Sequence, residues 1–359
     1  MNLMQVHSMI PDWYEARSPI YLRSAPGIGK TSIIEDAIPE LSKMFNRNLG
    51  MVPLNGGDMN VADTVGYLMP RDRDGLFTSE FSLPFWWFTR EGKPLTDYDG
   101  GFIFFDEIDK APLDVKKIAG ALMWNGRCGP HYLPPGWQVW AAGNRLEDRS
   151  GSTKELDHLI NRRYEINVTP HLQSWKDWAF THDVHPTFIA YAEKHSGLIF
   201  NAEVPEKQQP WPTPRSFVKL AHDLASFAKR RGSSKIPDDS LVQEFAAGIV
   251  GHGLVASLFS YITLGNELPS FDDIIKSPEK TRVPSRADAQ MIVVYELAAR
   301  VEEDMMDPVV TYVERFPKEF SVSFAKAACR RDPDLLNTPA ITRWCATNHS
   351  LMTAISDRS

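Results

Sequence analysis

The decapeptide RSAPGIGKTS, Arg23 to Ser32, constrains this chain more than any other stretch. The apolar run Ile20, Tyr21 and Leu22 precedes it, and apolar residues at helical spacing follow from Ser32 to Leu41. A buried strand, a glycine-rich loop and a helix, in that order, give a phosphate-binding pattern its structural context. Gly27 and Gly29 carry no Cβ to keep backbone N–H groups away from phosphate oxygens. The start of the helix adds the positive end of its dipole. Lys30 is placed to reach the outer phosphates, and the Thr31 hydroxyl to bind Mg2+. Ser24, Ala25, Pro26, Ile28 and Ser32 complete the candidate loop, with Pro26 stiffening it. Ser24 departs from the usual pattern, which opens on glycine. That position asks for a tight turn away from the closest phosphate approach, so a small residue fits.

Two further motifs end apolar strands in polar groups. FIFFDEID, Phe102 to Asp109, reads as a buried parallel strand that delivers Asp106 and Glu107 at its C-terminal end. Open α/β sheets bind ligands at that end. Asp106 would hold Mg2+ directly or through water, and Glu107 would orient and polarise an attacking water. VWAAGNR repeats the arrangement with an amide: Asn144 can hold a water beside a γ-phosphate without adding repulsion.

Strands alternate with helices through residue 170, which predicts an α/β domain with a mostly parallel sheet. YLMPRDRDGLFTSEF predicts a β-hairpin about Asp74-Gly75, and KELDHLINRR a helix. After Pro170 the pattern turns helical; Pro308 and Pro317 suit first helical positions. The net charge of −7 argues against a surface coated for nucleic acid, although a local basic channel is compatible with an acidic total. Cys128, Cys329 and Cys345, odd in number and widely spaced, fit reduced thiols and a cytoplasmic location. The opening residues lack the basic region and apolar run of a signal peptide, and no stretch approaches a membrane span.

The order GxGKT, FFDEID, AAGNR, INRR and PTPRS resembles the AAA+ ATPase superfamily. Within it the chain resembles the MoxR family, in GFIFFDEIDKAPLDVKKIAGALMWNGRCG, in LPPGWQVWAAGNRLEDRSG and in WPTPRSF. YVERFPKEF and ACRRDPDLLNTPAITRW are similar to the tail of a MoxR subgroup often paired with von Willebrand A domain proteins. The resemblance implies an AAA+ P-loop core, with a parallel sheet and helices on both faces, plus an all-α lid and a helical C-terminal extension. It places the nucleotide domain at 1–172, with a helix-2 insert near 63–88 and a pre-sensor hairpin near 126–137. The lid follows at 173–275 and the extension at 276–359.

The resemblance also assigns roles. Arg162 corresponds to the finger that reaches a neighbour's γ-phosphate. Arg163 stands where the family commonly has an aromatic, so either arginine is a candidate. Arg215 matches the lid sensor, and Arg145 and Arg149 are candidates at subunit contacts. A finger in trans implies a homo-oligomer, most often a hexamer. The implied function is ATP hydrolysis, with Mg2+, to remodel a partner protein, with no membrane involved. A DNA- or RNA-associated motor or loader, and an ATP-switched assembly scaffold, are the alternatives. The insert contains Phe77, Phe81, Phe85, Trp86, Trp87 and Phe88, which either grip a polypeptide, stack on bases or pack beneath the insert. Arg71, Arg73 and Arg90 beside them are interleaved with Asp72, Asp74 and Glu91, the pattern of a solvated mixed-charge face.

Overall fold

The computed structural model describes residues 1–145, 160–200, 204–205 and 208–348. The chain divides into two compact units, the first built on Met1–Pro170 and the second on His171–Asn201 and Pro205–Ser359.

The first unit begins with α1 (Leu3–Glu15), β1 (Ile20–Ser24), α2 (Lys30–Phe45), β2 (Leu49–Asn55) and α3 (Val61–Val65). A hairpin of β3 (Leu68–Arg73) and β4 (Leu76–Phe81) follows, then β5 (Gly100–Asp106) and α4 (Leu113–Asn125). A short hairpin of β6 (Arg127–Cys128) and β7 (His131–Tyr132) leads to β8 (Trp137–Asn144) and β9 (Tyr164–Asn167). The main sheet has five strands in the order β2-β5-β8-β1-β9, every pairing parallel.

A parallel sheet covered on both faces needs strands that are apolar throughout. In β5 every residue before Asp106 is buried, and in β8 all of WQVWAAGN is buried. Alternate side chains serve opposite faces. Leu22, Phe102, Phe104, Trp140 and Ala142 pack with Val6 and Ile10 of α1 and Ile34 and Leu41 of α2. Tyr21, Ile103, Phe105, Val139 and Ala141 pack with Val115, Ala119 and Leu122 of α4. The core is therefore the P-loop α/β sandwich expected from the sequence, with helices on both faces.

The β3–β4 hairpin turns at Asp74 and Gly75, with φ of 54° and 83°. Two consecutive positive φ values match the strand twist, which is why Asp-Gly is favoured there. The Asp72 carboxylate accepts from the Gly75 amide at 2.8 Å. The predicted helix KELDHLINRR lies largely outside the described residues, which resume at Ile160.

The second unit is helical. One apolar core runs from Trp175 through Phe217, Phe259 and Tyr295 to Trp344. A half-buried ion pair between Lys176 and Glu193, with the Tyr295 hydroxyl donating to the same carboxylate, ties three of its helices together. The two prolines sit differently from expectation. Pro308 lies within the helix Met306–Val313, and Pro317 caps Lys318–Arg331 from one residue outside. Both positions still leave no helical N–H unmade. Among the described residues, no helix is long and apolar enough to cross a membrane.

Candidate nucleotide site

The strand register brings the three motifs to one end of the sheet, the C-terminal ends of its three central strands. Ser24 at the end of β1 pairs with Asn144 at the end of β8. Phe105, one residue before Asp106, pairs with Ala141, which also pairs with Tyr21 of β1. The loop between β1 and α2 therefore opens beside the acids of β5 and the amide of β8.

Two glycines shape that loop. Gly27 has φ 76° and Gly29, the residue before α2, has φ 107°. Side chains strain the backbone in this region, and glycine does not. Lys30 opens α2 with its side chain turned inward and only 6% exposed. Its ammonium donates to Ser24 Oγ at 2.9 Å, to Asn144 Oδ1 at 3.2 Å and to the Ala25 carbonyl at 3.4 Å. Each of these three oxygens is neutral. A buried cation needs such partners, because leaving water uncompensated is expensive.

Ser24 thus has a different role from that expected. It ends a strand instead of opening a turn, is fully buried, and gives its own proton to the Ala25 carbonyl at 2.9 Å. Serine in place of glycine was the visible signal; the hydroxyl's partner was not.

Thr31 Oγ1 donates to Asp106 Oδ2 at 2.5 Å. A hydroxyl and a carboxylate at that separation are hard oxygen donors of the kind Mg2+ takes, so the pair fits a magnesium site. The other carboxylate oxygen of Asp106 accepts from the Glu107 amide at 2.9 Å. Glu107 itself stands at φ 51°, ψ 32°, unusual for a side-chain-bearing residue. Strain of this kind costs about 1–3 kcal/mol and collects at functional positions. The turn presents the Glu107 carboxylate beside Lys110, whose ammonium lies 2.8 Å away. Lys110 was not singled out by the sequence, and its spacing of three from Glu107 is the signal that could have found it.

The arginines are placed differently from one another. Tyr164, at the start of β9, pairs with Ile20 at the start of β1. The Arg162 backbone therefore enters at the opposite end of the strands from Lys30; the four-residue climb from Ile20 to Ser24 alone is about 13 Å. With Arg163 it lines a small cavity beside Ile108 and Ala141. Arg162 is exposed, whereas the side chain of Arg163 is 8% exposed and stacks on Tyr21. Arg145 follows β8 directly, Arg149 lies outside the described residues, and Arg215 belongs to the second unit. Arg215 is exposed in the first turn of the helix Pro214–Arg230, whose start is fixed by a capping box between Thr213 and Ser216.

The insert aromatics divide. Trp86 is fully buried, its indole N–H donating to the Thr64 carbonyl at 3.0 Å. Trp87 packs against the same core, whereas Phe77 is 83% exposed, and Phe85 and Phe88 are exposed as well. Arg71 and Arg73 both face Glu80. The two hairpins meet: His131 Nε2 lies 3.1 Å from the Ser82 carbonyl, and the Cys128 thiol donates to Thr64 O at 3.1 Å. Burial pushes the Cys128 thiol up to about 11.

No family model matches the chain, and no curated protein does. Solved structures do. NtrX of Brucella abortus in complex with ADP is 14% identical, over 98% of this chain and 67% of that one, at a TM-score of 0.38. The RuvB Holliday junction branch migration motor of Thermotoga maritima is 15% identical, over 77% of this chain and 75% of that one, at a TM-score of 0.34. At such distances the fold assignment rests on this chain's own strand order and loop.

Proposed function

We propose that this chain is an AAA+ ATPase of MoxR-like type that binds ATP with Mg2+, hydrolyses it in a homo-oligomer and uses the cycle to remodel a partner protein. The observation that carries the reading is the convergence of Lys30, Thr31, Asp106, Glu107 and Asn144 at one end of the sheet beside a glycine loop. In this reading Lys30 exchanges its three neutral oxygens for phosphate oxygens. Thr31 and Asp106 hold the magnesium ion, which when bound neutralises charge on the phosphates. Glu107 leaves Lys110 to polarise the lytic water, and Asn144 orients that water.

The backbone of Arg162 stands near the N-terminal end of the strands, away from Lys30 of its own subunit, which supports a role in trans. From there an exposed arginine can stabilise developing charge in a neighbour's site. This favours an oligomer, and the resemblance favours six subunits. Residues 1–172 serve as the nucleotide domain in this account. Residues 173–275 serve as a lid carrying Arg215 as its sensor, and 276–359 as an extension. The exposed β3–β4 ribbon offers apolar side chains with little net positive field, since Arg71 and Arg73 face Glu80. That favours a polypeptide over nucleic acid. A von Willebrand A domain protein is the partner the resemblance suggests.

The test is nucleotide binding and turnover in two variants. Glu107→Gln retains ATP and stops hydrolysing it, and Lys30→Ala loses affinity. Full turnover by Glu107→Gln would overturn the assignment.

A further inference from the structure

The two adjacent arginines are treated very differently by the fold. The Arg163 guanidinium carbon stands 3.7 Å from the centroid of the Tyr21 ring. A terminal nitrogen lies 3.4 Å from Glu165 Oε2. The other Glu165 oxygen lies 3.0 Å from Arg23 Nε, and the Arg23 guanidinium also lies over the Tyr21 ring, at 5.3 Å. Tyr21, the second residue of β1, is fully buried, so the ring that receives both cations is fixed in place. The backbone is tied at the same point, where the Tyr164 amide donates to the Pro19 carbonyl at 2.8 Å. The chain entering β9 is thus held to β1 by a main-chain bond and by a stacked, paired side chain. Arg162, one residue earlier, is exposed.

We propose that Arg163 is a positioning residue. Its stacking on Tyr21 and its pairing with Glu165 set the turn that presents Arg162 to the neighbouring subunit. Arg163 is occupied within its own subunit and does not serve as the finger. Strand β1 then has two duties: its C-terminal end leads into its own phosphate loop, and Tyr21 near its start anchors the turn that carries the cation for another subunit's site. The inference rests on the reading of Arg162 as a cation acting in trans.

A planar guanidinium suits this clamp, since it stacks on a ring face and reaches a carboxylate in its own plane. Lysine keeps the charge over the ring and loses the fork, so it replaces arginine only in part.

The experiment measures kcat, KM and binding of a fluorescent ATP analogue for Arg162→Ala, Arg163→Ala, Arg163→Lys and Tyr21→Leu. Each is assayed alone and mixed with Lys30→Ala subunits. A Lys30→Ala subunit has a defective phosphate loop and an intact finger, so it can complete the site of a neighbour whose own finger is displaced. Arg163→Ala should lose at least 10-fold in kcat with nucleotide affinity within 2-fold of the parent. Mixing with Lys30→Ala should restore turnover, as it should for Arg162→Ala. Tyr21→Leu should reproduce the loss and the restoration, and Arg163→Lys should recover part of kcat.

The proposal is overturned if Arg163→Ala keeps full kcat. It is equally overturned if nucleotide affinity falls in parallel, or if mixing fails to restore Arg163→Ala while restoring Arg162→Ala. Each of the last two results would mean that Arg163 supports its own site. If Arg162→Ala itself turns over normally, the underlying reading of the finger falls, and this proposal falls with it.

Discussion

Replacing Ser24 by alanine removes one oxygen from around a buried cation. The serine is fully buried at the end of β1, and its hydroxyl is the nearest of the three acceptors of Lys30, at 2.9 Å. Alanine suits the same extended backbone, so the change removes the hydroxyl with its two hydrogen bonds, the one accepted from Lys30 and the one donated to the Ala25 carbonyl. Bonds to charged groups contribute about 1.5–3 kcal/mol, and the loss here leaves an ammonium in the interior with fewer partners. For a unit the size of the first, each kcal/mol shifts melting by about 2–4 °C, so its transition should fall by roughly 3–12 °C. Differential scanning calorimetry without nucleotide reads this directly. Saturating ATP with Mg2+ should shrink the difference, because phosphate oxygens then replace the serine. A shift below about 1 °C without nucleotide would refute the claim that Ser24 stabilises Lys30. An undiminished shift at saturating ATP would refute the exchange of partners.

The insert should separate two aromatic residues that look alike in sequence. Trp86→Ala, at a fully buried ring, should destabilise the first unit by about 3–5 kcal/mol in urea unfolding. Phe77→Ser, at a ring 83% exposed, should leave stability within about 0.5 kcal/mol and weaken capture of an unfolded polypeptide such as casein. Unchanged capture would remove the ribbon from the partner-binding account. In the second unit, burial holds the His185 pKa below the ordinary histidine range, with Glu296 opposing the shift. Its ring Nδ1 caps the helix Pro186–Lys194 by accepting from the Thr187 amide at 3.3 Å, which needs the neutral ring. The unfolded chain binds this proton more tightly. The contribution is therefore complete above about pH 6.5 and is lost as pH falls towards the lower folded value. His185→Asn, which can still cap, should flatten the stability decline between pH 7 and pH 5. An identical slope in both proteins would remove His185 as its source.

Elements bounded by local chemistry were legible in the sequence. β5 and β8 are apolar runs that stop at Asp106 and Asn144, and both end where the runs end. The Asp74-Gly75 hairpin follows from the only residue types that tolerate two positive φ values cheaply. Helix α2 runs from Lys30 to Phe45, longer than the apolar spacing showed at either end. Long-range chemistry was less legible. Arg162 and Arg163 are equivalent in a string, and they differ because Tyr21 lies under one of them. Trp86 and Phe77 differ because the Thr64 carbonyl waits for one indole, while the ribbon projects the other ring outward. The left-handed turn at Glu107 has no local signal, since glutamate seldom adopts it.

The most direct measurement is ATPase activity per subunit as a function of protein concentration, read beside the oligomeric state by light scattering. If a phosphate loop on one subunit is completed by Arg162 of another, specific activity rises with assembly and collapses on dilution to single chains. Constant activity per subunit through complete dissociation, or failure of the assembled protein to hold ATP, contradicts the account.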